Sequence, residues 1–464
     1  MAGLGIDGLI SGLDTTSIIS KLMTIEAQPQ TLLKNSLTST TSFANDLRAL
    51  NSQIAGLATA AKAASGTSSL NVFSTSSSAS SVTATASSTA SAGSITFTVG
   101  ATAQSQVVVT KAMSTWPSTP PVLTIVGSDG TQTEFTAKSG SMPDIAAAVN
   151  AAGAGVTASA VAAGTDANGV AQYRLQLTST KSGADGAFTI YRGAKANIGK
   201  GGPNGAVNLA TETGAATVST ARDASVTLWG GTSAAQTITS ASNTFTDLLP
   251  GLNVTVTKVE STSVTVTTAQ DNTAAASVAG KLFTSLINLF SGIADKTAVT
   301  TSTTDGVKAG SFVGDSSVRQ AKDALLAAAT SPIGGKSLST IGINITKTGT
   351  IEFDATAFAA ALAKDPTGTA ATFQQVAGRI EAAATAASDS TKGYLTGKVT
   401  GEDAEIKSLG DRIADWDLRL AMRKDTMQKQ YTALETALGS LKSQSDWLAS
   451  QLGSLMSSSS SSSE

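Results

Sequence analysis

A narrow apolar seam from residue 406 to residue 455 constrains the fold more than any other stretch of the chain. Its members are Ile406, Leu409, Ile413, Trp416 and Leu420 and, after a polar interruption, Met427, Tyr431, Leu434, Leu438, Leu441, Leu448, Leu452 and Leu455. They recur mainly at steps of three and four residues, and no proline interrupts them. This period predicts a long coiled-coil helix, which needs a partner because its seam is apolar.

A second seam with the same period lies near the N-terminus, where Phe43 begins it and Ala61 ends it. Such a stripe also fits an amphipathic helix on a globular core. The narrow period that both seams share favours antiparallel pairing into a stalk. The predicted stalk contacts are Phe43, Leu47, Leu50, Ile54 and Leu57 on one helix and Ile406, Leu409, Ile413, Trp416 and Leu420 on the other.

The step of the C-terminal seam changes between Met427 and Tyr431, a stutter that locally unwinds a coiled coil. We therefore expect Ile406–Met427 to pair with the helix around Phe43–Ala61. Residues 431–455 and 1–40 would then form legs that engage partners. Since Asp14 is placed as an N-cap, a leg helix is predicted over Thr15–Gln28. Pro29 would break or kink this helix, and it also suits the first position of a following one.

The predicted partner contacts are the apolar residues of the two legs. They are Ile18, Leu22, Ile25, Leu434, Leu438, Leu441, Trp447, Leu448 and Leu452. Trp447 lies one position before the Leu448 knob, so it is either an intersubunit contact or a residue that packs within the helix. The serine tail from Ser457 is of low complexity and is predicted to be disordered.

Short runs of alternating residues between turn signals fill the middle of the chain and predict antiparallel sheets. The predicted strands are Ser94–Val99, Gln106–Lys111, Val122–Val126, Thr133–Ala137, Val156–Val161, Tyr173–Thr178, Phe188–Tyr191, Ser225–Trp229, Asn253–Lys258 and Ser263–Thr268. A short helix is expected over Asp144–Asn150. Residues 192–222 are rich in Gly, Ala and Asn and are predicted to be loose, or an exposed insertion.

Helical periodicity returns at Asn272. Asp315 and Asp354 are predicted N-caps, and Asp365-Pro366 is predicted to stop the helix that Asp354 begins. A further helix is expected over Phe373–Ala387. Residues 341–353 read as a hairpin through Lys347-Thr348-Gly349.

These elements predict a multidomain α+β fold, in which terminal helices form an antiparallel stalk and antiparallel β-rich head domains are inserted between them. The predicted domains are legs over residues 1–40 and 431–464, a stalk over 41–70 and 271–430, a first head domain over 71–111 and 223–270, and a second one over 112–222, inserted in the first.

Composition excludes several classes of function. The chain has no cysteine and no histidine, so thiolate chemistry and histidine-based catalysis are impossible, and no catalytic, cofactor or metal site is predicted. A net charge of −2 gives no indication of a basic surface that would bind nucleic acid. No secretory signal is visible, and no window approaches about 18 uninterrupted apolar residues, so no membrane span is expected.

Several blocks resemble the bacterial flagellar filament cap family, also called hook-associated protein 2. The blocks are Ile10-Ser11-Gly12-Leu13-Asp14 with Ile18-Ile19, Leu22-Met23-Thr24-Ile25-Glu26 and Pro29, Asn243 with Asp247-Leu248-Leu249-Pro250-Gly251-Leu252, Gly314-Asp315-Ser316-Ser317-Val318-Arg319, Ile341-Gly342-Ile343, Gly349-Thr350-Ile351-Glu352-Phe353-Asp354, Tyr431-Thr432-Ala433-Leu434-Glu435 and Leu448-Ala449-Ser450-Gln451-Leu452. Their order along the chain makes the resemblance specific, whereas residues 95–235 match it more weakly.

The resemblance implies an extracellular, ring-like homo-oligomer at the tip of the flagellum. Such a cap promotes the folding and insertion of exported flagellin and is not an enzyme. Its other implied partners are the flagellar type III export apparatus and an export chaperone, and some members of the family adhere to host surfaces. The alternatives are a flagellin-like or hook–filament junction protein and a secreted adhesin with a β-rich head.

Overall fold

The computed structural model describes residues 12, 14–202, 204–302, 306–347 and 349–460, with side chains as far as residue 454. The N-terminal predictions at residues 1–11 and 13, and the end of the serine tail at 461–464, lie outside these residues. The chain divides into two compact units. The helical unit comprises the described parts of Met1–Thr67 and Ser277–Glu464, and the β unit comprises Ser68–Ala276.

The described part of the chain contains eight α-helices, numbered here in chain order. They are α1 Thr15–Glu26, α2 Gln28–Ala64, α3 Met142–Ala151, α4 Asn272–Thr297, α5 Ser316–Thr330, α6 Ala355–Lys364, α7 Pro366–Ser388 and α8 Tyr394–Ser460.

The strands are numbered in the same way. They are β1 Phe73–Ser77, β2 Val82–Ala86, β3 Gly93–Ala101, β4 Val107–Val109, β5 Val122–Gly127, β6 Gln132–Thr136, β7 Val156–Thr165, β8 Ala171–Ser179, β9 Phe188–Arg192, β10 Val207–Asn208, β11 Ala216–Ser219, β12 Ala224–Leu228, β13 Gln236–Ser240, β14 Thr244–Leu249, β15 Leu252–Val256, β16 Glu260–Gln270, β17 Val299–Ser302, β18 Gly306–Ala309, β19 Ile343–Ile345 and β20 Ile351–Phe353.

The β unit contains two separate cores. In the first, a five-stranded sheet of order β1-β16-β3-β12-β13 packs against the sheet β14-β15-β2 through alternating apolar residues such as Phe97, Val226 and Val254. In the second, α3 and the sheets β10-β9-β5-β6 and β11-β4-β8-β7 enclose Leu123, Leu175 and other side chains. All strand pairs are antiparallel, so the predicted fold class is confirmed, while the predicted domain boundaries stay predictions.

The ten predicted strands are all present within a few residues of their expected bounds. The prediction that residues 192–222 form a loose or exposed insertion is wrong at its centre, because Leu209 is fully buried in the second core. The carboxylate of Glu212 also accepts hydrogen bonds from Arg192 and Lys111 there. Glycine-rich composition concealed these two anchoring residues.

The helical unit contains a cluster of aromatic rings that pack both face to face and edge to face. Phe283 of α4 lies 5.0 Å from Phe353, and Phe358 of α6 lies 5.6 Å from Phe373 of α7, between ring centroids. Aromatic pairs at such distances add about 0.5–1.5 kcal/mol beyond the area that they bury. The helix starts follow the predicted caps, since Asp14, Asp315 and Asp354 each accept a backbone N–H in the first turn.

Helix α4 is the one helix among the described residues that is long and apolar enough to cross a membrane, with a mean hydropathy of 1.2 in its most apolar window. Its side chains Leu282, Phe283, Leu286, Leu289 and Ile293 are buried within the protein. This arrangement is that of a core helix, whose apolar face packs against its own unit.

Two helices begin before the apolar seams that they carry. Helix α2 begins at Gln28 with Pro29 in its first turn, where no intrahelical N–H is lost, which agrees with the predicted helix start at Pro29. The predicted boundary between leg and stalk at residue 40 therefore falls inside one continuous helix. Helix α8 begins at Tyr394, ahead of the start of its seam at Ile406.

Candidate assembly surface

Helices α2 and α8 run antiparallel, as four side-chain contacts establish. Gln30 Nε2 donates to Asp417 Oδ1 at 2.6 Å and approaches the carbonyl of Ile413 at 3.4 Å. Further along, Arg48 forms an ion pair with Asp403, and Asn51 Nδ2 donates to Thr396 Oγ1 at 3.1 Å. As the residue number rises on α2, it falls on α8. The C-terminal seam therefore lies against the chain's own N-terminal helix.

The register differs from the predicted one. The expectation that Ile406–Met427 pairs with Phe43–Ala61 is wrong, because Ile413 lies beside Gln30, thirteen residues before Phe43. The later part of α2 packs against α7 instead, and Gln374 Nε2 of α7 donates to the carbonyl of Thr67 at 3.2 Å. A heptad period defines the face of a helix but not the segment of its partner that covers it.

The ten predicted stalk residues divide by exposure. Leu47, Leu50, Ile54, Leu57 and Leu409 are buried, and Phe43, Ile406, Ile413, Trp416 and Leu420 are half-buried. Phe43 packs edge-on against Phe312 at 6.0 Å, and Lys398 Nζ lies 5.6 Å from the centre of its ring. Phe43 thus joins α2 to α8 and to the segment that precedes α5.

An ion pair connects α2 to α4. Lys296 Nζ contacts both carboxylate oxygens of Asp46 at 3.0 Å. The neighbouring Ser311 hydroxyl and this lysine hold the pKa of the Asp46 carboxyl below its usual range, against the opposing effect of its partial burial.

Helix α1 lies against α8 on the C-terminal side of the contacts that α8 makes with α2. Ile19 is its one buried residue, and Glu26 forms an ion pair of 3.6 Å with Arg423. Of the predicted contacts on α1, Ile18 is half-buried, Leu22 is 39% exposed and Ile25 is 63% exposed. The N-terminal leg therefore packs on its own C-terminal helix and still presents apolar residues to solvent.

The C-terminal part of α8 carries the remaining predicted contacts, which we call the leg face. Leu434, Leu441, Trp447, Leu448 and Leu452 are about half exposed or more, and Leu438 is half-buried. After Gly439 every described side chain of α8 is exposed. Beyond Gly439 the leg face is thus a series of large apolar side chains that nothing in the described part of the chain covers, whereas Leu438 is partly packed.

Several residues of this surface were missed by sequence reasoning. Gln30 of α2 and Glu435 of α8 are buried polar residues, and polarity removed both from the predicted seams. Leu418 and Met422 are 65% and 63% exposed on the stalk part of α8. Both lie off the seam, and their mutual spacing of four residues was the available signal.

The described residues contain no group of three or more acidic side chains placed to hold a metal ion. The assembly surface consists of apolar side chains, exposed ion pairs and helical backbone whose hydrogen bonds are already formed within the helices. What such a surface can do is bind another protein surface.

Two family models match the chain and together cover well over half of it. "Flagellar hook-associated protein 2 N-terminus" matches residues 11–106, and "Flagellar hook-associated protein 2 C-terminus" matches residues 221–443. The stretch between them is the region where the sequence resemblance is weak.

Curated relatives extend the match to nearly the full length. The chain is 27% identical to flagellar hook-associated protein 2 of Escherichia coli (strain K12) over 483 aligned residues, which cover 97% of this chain and 98% of that protein. The protein of the same name from Escherichia coli O157:H7 matches equally well.

A solved structure shares the fold. The flagellar cap protein FliD D1-D2-D3 domains from Escherichia coli superpose with a TM-score of 0.58 at 24% identity, and the match covers 77% of this chain and 99% of that one. The order of the sequence blocks, the paired terminal helices, the inserted β unit and both family models agree. The chain belongs to the flagellar hook-associated protein 2 family.

Proposed function

We propose that this chain is a structural cap at the distal tip of the bacterial flagellar filament, where it promotes the folding and insertion of exported flagellin and so the elongation of the filament. The observation that carries the proposal is the leg face, an uncovered row of large apolar side chains on α8. Family membership supplies the context in which such a face would act.

The physical argument rests on the exposure of the leg face. Full burial of a leucine side chain is worth about 1.5–3 kcal/mol, and the leg face leaves Leu434, Leu441, Leu448 and Leu452 about half exposed. A helix without tertiary contacts is also marginal in water. Both effects favour burial of the leg face against other copies or against the filament, and every copy in a ring gains the same stabilisation.

The roles of the residues follow from their placement. The stalk contacts would hold the helical unit together, and the leg face with Ile18, Leu22 and Ile25 would contact neighbouring copies and flagellin. The protein would leave the cell through the flagellar type III apparatus with an export chaperone, and would act outside the cell in a ring-like homo-oligomer. Its work would be to position other chains, with no catalytic step of its own.

Leu448→Asp tests this proposal at a residue that is exposed in the single chain. We expect the fold and stability of the monomer to be unchanged, the oligomer to dissociate, and motility to be lost with flagellin released into the medium. Oligomer mass by light scattering, together with motility in a complemented deletion strain, measures these effects. Leu438→Asp should act in the same direction, with some added loss of monomer stability because Leu438 is half-buried.

Ser450→Asp is the matched control, because it places the same charge at an exposed serine on the side of α8 opposite the leucines of the leg face. It should assemble normally. Normal oligomer mass and motility in both leucine variants would contradict the role of the leg face. Filaments composed of this chain itself would instead favour a flagellin-like or junction protein.

A further inference from the structure

A cleft of about 240 Å³ opens in the helical unit between the end of α4 and the start of α5. Its floor is apolar, since Ile293, Phe312 and Val318 line it and are buried. Val313 forms one wall and is 42% exposed. The adjacent hairpin of β17 and β18 presents Val299 and Val307, which are 55% and 71% exposed.

Two cations line the same cleft. Arg319 is exposed and Lys322 half-buried, one turn apart on α5. Neither makes an ion pair with any residue that the structure describes. The acidic residue beside them, Asp315, accepts the backbone N–H of Val318 as the N-cap of α5. An apolar floor with unpaired positive charge fits an apolar segment flanked by carboxylates.

The outward side of α8 in the stalk has this complementary chemistry. Leu418 and Met422 are exposed there, and Asp411, Asp415 and Asp425 lie at spacings of three and four residues from them. At about 100° per residue these five side chains share one face of the helix, opposite the seam that α2 covers. We call this face the outer stripe.

The acidic residues of the outer stripe are available for new pairs. Asp415 forms no ion pair with a described residue. Among the residues that the structure describes, Asp411 and Asp425 pair only with Lys407 and Lys429 in their own helix, at 2.7 and 2.8 Å and at exposed positions. Exposed pairs of this kind contribute little to stability, so exchange for a partner across an interface is easy.

The outer stripe of the same chain cannot fill the cleft. Phe312 in the cleft packs on Phe43, which Lys398 of α8 covers. Leu418 lies twenty residues further along the same helix, about 30 Å away at 1.5 Å per residue. Another molecule must therefore supply the occupant.

We propose that the outer stripe of one copy docks in the α4–α5 cleft of the next copy, with Leu418 and Met422 over the apolar floor and Asp415 opposite Arg319 and Lys322. The inference rests on the proposed homo-oligomer and names one of its interfaces. Because two different surfaces meet, the contact is heterologous, and a series of such contacts closes into a ring when the rotation permits.

The absence of cysteine from the sequence simplifies disulfide mapping of this interface. One full-length protein carries Val313→Cys and a second, of different tag, carries Leu418→Cys. After mixing and mild oxidation we expect a disulfide-linked dimer that contains both tags, and none from either protein alone. Ala60→Cys, at an exposed position on α2, replaces Leu418→Cys as the control and should not cross-link to Val313→Cys.

Charge reversal is the second, independent measurement. Asp415→Arg should weaken self-association about tenfold or more, and so should Arg319→Asp combined with Lys322→Asp, as loss of interfacial charge pairs predicts. The chain with all three substitutions should recover most of the affinity, while circular dichroism checks that each variant is folded. Sedimentation velocity gives the dissociation constants.

The outcomes separate this interface from the cap itself. Oligomers that form normally but never link Val313→Cys chains to Leu418→Cys chains, or that ignore charge reversal, overturn the interface and leave the proposed cap standing. Charge reversal that spares the oligomer but stops filament growth would assign the cleft to another protein and likewise overturn it. A strictly monomeric protein in every assay would contradict both proposals.

Discussion

Glu212 illustrates how one residue secures a region whose composition suggests a loop. Its carboxylate accepts hydrogen bonds from Arg192 at 2.8 and 3.3 Å and from Lys111 at 2.8 Å, with only 10% of its side chain exposed. Arg192 lies at the end of β9 and also 5.9 Å from the ring of Trp116, whereas Lys111 follows β4. The glutamate therefore joins the two sheets of the second β core.

Glu212→Gln should lower the free energy of unfolding of the β unit by about 1.5–3 kcal/mol, the range for hydrogen bonds to charged groups. Urea unfolding followed by tryptophan fluorescence measures the change. Asp185→Asn, at an exposed side chain of the same unit, should leave the midpoint unchanged. An unchanged midpoint in Glu212→Gln would contradict this role.

The same variant has a pH signature. Burial raises the pKa of the Glu212 carboxyl, but the hydrogen bonds from Arg192 and Lys111 outweigh it and hold that pKa below its usual value. A depressed pKa contributes stability above about pH 4.3, the ordinary pKa of glutamate, and loses it as pH falls through the folded value. The difference between wild type and Glu212→Gln should therefore be full at pH 7 and shrink towards pH 3.

At the scale of elements, α8 combines two regions with different support. As far as Met427 it lies against α2 and α1, and after Gly439 all of its described side chains are exposed. The backbone is helical throughout, so the difference is one of packing rather than of secondary structure. Stability in such a helix follows the packed part.

Hydrogen exchange should resolve this difference residue by residue. In dilute monomer we expect amides between Thr396 and Met427 to be strongly protected and those after Gly439 to exchange nearly as fast as in a free peptide. Assembly should protect the amides after Gly439 from exchange. Uniform protection along α8 in the monomer would contradict the division.

Elements were predictable where the signal is local. Strand alternation and aspartate caps depend on residues that are adjacent or three apart, so sequence alone located ten strands and the starts of α1, α5 and α6. The register of α2 depends on residues more than three hundred positions away. Its early part places the polar Gln30 against α8, and α7, which packs on its later part, buries small residues such as Ala377 and Ala384.

The candidate assembly surface was likewise predictable only where its signal is local in sequence. Periodicity identified the leg face because its leucines continue the seam beyond the start of α2. The outer stripe left a weaker signal, the spacing of four residues between Leu418 and Met422, which aspartates flank along that face. Periodicity gave no sign of the cleft, whose lining residues come from separate elements.

At the scale of the whole molecule, the β unit is an insertion with adjoining ends. Phe73 pairs with Gln270 in neighbouring strands, and the N–H of Asp271 donates to the carbonyl of Val72 at 2.8 Å. The unit has two cores of its own, whereas the helical unit is built from both ends of the chain.

Residues 68–276 expressed alone should therefore fold. We expect a β-type circular dichroism spectrum and a cooperative thermal transition close to that of the same unit in the full chain. Residues 1–67 expressed alone should not fold, because α2 would lack α7 and α8. A β fragment without a cooperative transition would contradict the independence of the unit.

The meeting of β1 and β16 also sets an order of events in time. Asn51 and Thr396 are 345 residues apart in sequence, so the helical unit cannot close until the chain has been delivered almost to its end. The β unit can fold earlier, and when it does, it brings Val72 beside Asp271 and removes the intervening residues from the loop that remains to be closed. Each halving of a loop lowers the entropic cost of closing it by only about 0.6 kcal/mol. Early folding of the β unit therefore affects the order in which the two units fold more than it affects the final stability. A chain released through a narrow channel would thus complete its head first and close its stalk last, when both termini are free to meet.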